Sequence, residues 1–190
     1  MAAVDCWIDS TEALREHTWC LLRVSKDLRG DYRLEEQESR SCAGPGCRSL
    51  VTTHTVRFEV APGECDEVPE LDGLLEAAPF CNVFEDANPF DRAVHSAEVR
   101  WAPSGGGAVV GTMTGLTNAG THRPPAAVRC EECSSLAHVE GRLCATIDGV
   151  QRLGGCELVA VYCLSARPNG WNGRLEGTLE GVVVRPCEDR

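Results

Sequence analysis

The chain reads as mainly β: a curled antiparallel sheet or barrel of roughly six to eight strands, with a short N-terminal helix and long irregular N-terminal loops. Three observations carry that expectation. The second half of the chain holds five apolar, β-branched runs separated by Gly, Pro and Asn turn chemistry. Within the runs, apolar and polar residues alternate with the two-residue period of a strand. Glycines recur inside successive runs, at Gly111, Gly115, Gly141, Gly177 and Gly181. A strand glycine marks a bend or a close backbone approach, and a series of them suits a sheet coiling toward closure.

In chain order, "DSTEALREH" (Asp9–His17) predicts a short helix with Asp9 or Ser10 as N-cap and Glu12 closing a capping box. "TWCLLRVS" (Thr18–Ser25) has the apolar density of a buried strand. "RLEEQESRSCAGPGC" (Arg33–Cys47) is polar and ends on a Gly-Pro turn, which predicts a loop or an exposed hairpin. "SLVTTHTVRFEVA" (Ser49–Ala61) alternates, with Val56, Phe58 and Val60 facing the core and Thr52 and His54 on the same face. From Pro62 to Asp91 the chain is acidic and broken by Pro62, Pro69, Pro79 and Pro89. It predicts a long excursion in which only "ELDGLLEAA" is a short helix. The runs "RAVHSAEVRWA", "AVVGTMTGLT", "AHVEGRLCATI", "CELVAVYCLSA" and "RLEGTLEGVVV" then form an antiparallel meander. The expected organisation is one domain over 1–190: an irregular part over 1–92 with a helix and one or two strands, and the meander over 93–187.

Composition narrows the function classes. A net charge of −11 argues against nucleic-acid and anionic-membrane partners, which require dense Lys/Arg footprints. No run has the ~18–20 apolar residues of a membrane-spanning helix, so membrane insertion is not expected. "MAAVDCWIDSTEALREH" lacks the basic and apolar regions of a signal peptide. The expected location is therefore cytoplasmic, or extracellular if the chain is a mature form. Lys26 is the only lysine, so lysine-nucleophile chemistry rests on it or is absent. The GxSxG, P-loop, GxGxxG and HExxH patterns are missing, and the reading leans away from an enzyme. The expected partner is an unidentified protein or small molecule.

Twelve cysteines are the strongest compositional signal. Cys130 and Cys133 in "CEEC" have the spacing of a zinc knuckle, and Cys42 and Cys47 flank the turn in "CAGPGC". The four would form a closed thiolate site for structural zinc, with His138 as an alternative ligand. An even count equally allows complete disulfide pairing, as in a secreted adhesin, inhibitor or small-ligand carrier. A thioredoxin-like redox pair ranks last, because Cys130 and Cys133 lead into a strand and Glu131 and Glu132 disfavour a thiolate. Cys144 and Cys163, inside strands, read as buried small apolar residues.

"TNAGTHRPP" (Thr117–Pro125) sets Asn118, His122 and Arg123 on one loop, a weaker candidate for anion binding or acid–base chemistry. Its plainer reading is turn chemistry before a Pro-Pro brake. His138 and Glu140 share a strand face that reads as a wet surface. Trp101, Tyr162 and Trp171 line a barrel cavity or, more simply, pack its core and rim. His54 and His95 read as strand histidines without a role.

Overall fold

Eight β-branched and aromatic runs join in chain order: β1 (Trp19–Ser41), β2 (Arg48–Pro62), β3 (Gly73–Phe84), β4 (Arg92–Pro103), β5 (Ala108–Asn118), β6 (Ala137–Asp148), β7 (Glu157–Asn169) and β8 (Asn172–Pro186). They come from a computed structural model that describes residues 19–41, 48–84, 92–118, 137–169 and 172–186. Each strand pairs antiparallel with the next, and β1 pairs with β8, so the sheet closes into a barrel. The antiparallel meander and the eight-strand count agree with the sequence reading.

The strand glycines explain how so small a barrel closes. Gly115 of β5 lies directly opposite Gly141 of β6. A Cβ on Gly115 would sit 2.0 Å from the Glu140 carbonyl oxygen, and one on Gly141 would sit 2.1 Å from that of Thr114. The two backbones cross too closely to admit any side chain, which is what strong coiling demands. The rest of the interior follows the alternation read from sequence. Val139, Leu143, Ala145 and Ile147 face inward from β6, as do Val56, Phe58 and Val60 from β2.

One end of the barrel is filled. The β2–β3 and β6–β7 connections carry short 3-10 turns, Pro69–Leu71 and Gln151–Leu153. They fold Val68, Leu71, Val150 and Leu153 into the core with no exposed surface. The Lys26 ammonium, fully buried, meets Asp66 Oδ2 and Asp72 Oδ1 at 2.6 Å each and the Val68 carbonyl at 2.8 Å. Three partners match the three protons of an ammonium, so Lys26 is a strut fixing the β2–β3 connection to β1 rather than a nucleophile.

Two expectations are corrected. "ELDGLLEAA" is no helix: after Pro69–Leu71 the chain enters β3, which supplies a third strand to the first half of the molecule. A register shift between Ala77 and Phe80, around Pro79, interrupts the alternation that would have identified it. Burial of Leu75, Ala77, Phe80 and Phe84 against β2 and β4 overrides the local helical preference. Cys144 and Cys163 are not core residues either; both take the outward parity of their strands, where Cys163 is exposed and Cys144 half-buried. Over Arg33–Ser41 the chain follows the hairpin alternative, since β1 continues to Ser41 and pairs with β2, while residues 42–47 lie outside the described residues. The helix expected over Asp9–His17 lies outside the described residues.

A charged row runs along the outer wall. Arg100, Glu76, Arg57, Asp31 and Arg174 are lateral neighbours on successive strands, a row of alternating sign. Arg57 and Glu76 are bridged at 2.8 Å. No helix among the described residues is long and apolar enough to cross a membrane.

Candidate functional site

A polar row crosses the barrel interior towards the end opposite the filled floor. Reading laterally through the strand pairing gives Thr52, Asn82, His95, Gly115, Gly141 and Tyr162, one residue from each strand of β2 to β7. Thr52, Asn82, His95 and Tyr162 all sit at 5% exposure or less. The two central glycines leave the row without side chains over β5 and β6. Tyr162 extends across that space, and a Cβ on Gly141 would lie 2.4 Å from its hydroxyl oxygen.

The Tyr162 hydroxyl reaches His95 Nε2 at 2.5 Å. His95 Nδ1 lies 2.9 Å from Thr117 Oγ1, and Thr117 donates to Asn82 Oδ1 at 2.7 Å. Asn82 Nδ2 then stands 3.5 Å from both Thr52 Oγ1 and His54 Nδ1. Proton bookkeeping orients the chain. Because the Thr117 proton goes to Asn82, its oxygen accepts from His95 Nδ1–H. Burial holds the His95 pKa down, to about 4, so the imidazole is neutral at physiological pH. Its Nε2 therefore accepts, and Tyr162 donates. Burial also raises the Tyr162 pKa, which keeps that proton in place. The result is a one-way run of donors, Tyr162 to His95 to Thr117 to Asn82, that fixes each tautomer and rotamer.

Apolar groups bracket the row. Phe80 stacks on the His95 ring at 4.7 Å between centroids. Leu50, Phe84 and Ala93, the next inward positions away from the floor, form a small cluster of their own. Tyr32 contacts His54 edge-on at 5.7 Å, and its pKa is pushed up to about 12 by burial.

Most of the sequence-derived candidates are not among the described residues. Cys42, Cys47, Cys130, Cys133, His122 and Arg123, with Trp171 and the side chain of Asn118, lie outside the described residues. His138 is exposed on the outer face of β6. Among the described residues no group of three His, Cys, Asp or Glu side chains is arranged to hold a metal. Cys65, Cys81 and Cys163 carry free thiols, while Cys144 is disulfide-bonded. Trp101 is fully buried in the floor half, its Nε1 without a partner among the described residues.

Sequence reasoning passed over His54 and His95, although the signal was present. His54 shares the parity of Val56, Phe58 and Val60, and His95 that of Ala97, Val99 and Trp101. A histidine in register with core positions must be satisfied inside the core. Comparison with known proteins gives no matching family model, no matching curated protein and no matching solved structure.

Proposed function

We propose that the protein is a non-enzymatic binding barrel that takes a small amphipathic ligand at the end away from the Lys26 floor. One observation carries the reading: a satisfied polar row lies a single layer beneath the apolar Leu50, Phe84 and Ala93 cluster, in a barrel filled at the other end. Eight strands enclose an interior of the size that holds side chains or one small ligand. An apolar body would replace contacts at that cluster, and its polar end would exchange hydrogen bonds with Thr52 and Asn82. The disulfide at Cys144 favours an oxidising compartment, hence an extracellular carrier.

Titration with dodecanoic acid, read by intrinsic tryptophan fluorescence and thermal denaturation, tests this. The transition midpoint should rise with ligand concentration, as mass action requires. Asn82→Leu should abolish the rise. If neither dodecanoate nor dodecanol shifts the midpoint or appears bound in native mass spectra, the reading fails.

A second reading keeps structural zinc on Cys42, Cys47, Cys130 and Cys133. It is favoured by topology: the ends of β1 and β2 that flank the first pair, and those of β5 and β6 that flank the second, lie at the same end of the barrel. Metal analysis of purified protein should then return close to one zinc per chain, and less than about 0.2 equivalents would rule it out.

A further inference from the structure

We propose that the edge of β1 from Leu34 to Ser41, beyond its pairing with β8, is a docking edge for a basic, extended peptide strand. This goes beyond the small-ligand reading and uses a different part of the molecule. β1 pairs with β8 only as far as Tyr32, opposite Gly173, yet stays paired with β2 out to Ser41. Between Leu34 and Ser41, the edge of β1 that faced β8 has no strand beside it among the described residues. Its first amide, that of Leu34, donates to Asn172 Oδ1 at 2.8 Å. On its other side β2 stays paired with β3 as far as Leu50, opposite Phe84, so this edge belongs to the barrel sheet, and only Arg40–Ser41 and Arg48–Ser49 extend past β3. Residues 35–41 are all exposed. An open edge of this length is a template for strand addition.

Charge selects the occupant. Glu35 occupies the register shift after Leu34, and Glu36 and Glu38 follow on one face of the strand. Arg40 is turned back onto Glu38 at 2.8 Å, which leaves this edge of β1 net acidic. A second copy of this chain, itself at −11, would set acid against acid across the new ladder. A strand with Lys or Arg at alternate positions would set opposite charges there instead.

Fluorescence anisotropy with the full chain and a labelled peptide alternating lysine and valine reads this out. The peptide should bind saturably, and the same peptide with glutamate for lysine should not. The charge-reversed double variant Glu36→Lys/Glu38→Lys should bind about tenfold more weakly or worse. The deciding comparison uses the lysine peptide N-methylated along one edge, which keeps its charge but cannot complete the ladder. It too should lose about tenfold or more. Equal binding of the methylated and unmodified peptides would reduce the contact to charge attraction and overturn the proposal, as would no binding at about 1 mM peptide. Because that comparison uses the unaltered protein, it decides the matter even if the double variant fails to fold.

Discussion

Tyr162 of β7 and His95 of β4 are separated by two intervening strands, yet hydroxyl and imidazole meet at 2.5 Å because both intervening strands carry glycine at the row between them. Neither group is in reach of the other unless Gly115 and Gly141 stay bare.

Tyr162→Phe removes the donor and leaves His95 Nε2 buried without one. We expect a loss of about 1–3 kcal/mol in unfolding free energy. Urea denaturation measures it. A loss indistinguishable from zero would mean that the hydroxyl contributes nothing to the row.

Gly141→Ala should cost more than about 2 kcal/mol, because its methyl group meets backbone at Thr114 as well as the Tyr162 hydroxyl. Gly154→Ala is the control: the nearest atom to its Cβ is 3.7 Å away and its φ of −59° suits any residue. In combination with Tyr162→Phe, the cost of Gly141→Ala should be less than additive, since part of it is displacement of that hydroxyl.

Acid should destabilise the barrel through His95. Its folded pKa of about 4 lies below the ordinary imidazole value, so between the two values the unfolded chain binds the extra proton. The stabilising contribution is complete above about pH 6.5 and disappears towards about pH 4, amounting to about 3 kcal/mol at most. Denaturation at stepped pH, compared with His95→Gln, isolates the effect, and parallel curves for the two proteins would exclude it. Tyr162 and Tyr32 act in the opposite direction: their raised pKa values make stability fall as pH climbs past about 10.

Lys26→Met strands Asp66 and Asp72 against the floor without their cation. Breaking a buried pair in this way costs about 3–5 kcal/mol. The β2–β3 connection should also become a preferred site of limited proteolysis, with cleavage between Pro62 and Gly73. Unchanged digestion would show that Val68 and Leu71 alone hold it.

Much of the barrel was legible in the sequence, because the meander strands alternate cleanly and their glycines mark the coiling. β3 was hidden because Pro79 sits in a register shift and the flanking prolines imitate a loop. The polar row was half legible. His54 and Tyr162 stood at core positions in their strands, but only the lateral register aligns Thr52, Asn82, His95 and Tyr162. That register is a property of the closed sheet, not of any one strand.

The seam between β1 and β8 ties barrel integrity to the synthesis of β8. The edge of β1 from Trp19 to Tyr32 finds its second partner only when residues 173–186 have emerged. Until then the nascent chain carries two open edges, on β1 and on the last strand made, and is most prone to pairing with a neighbour. A chain cut before Asn172 would keep that exposure permanently, so truncations in β8 should aggregate where point substitutions there merely weaken the fold.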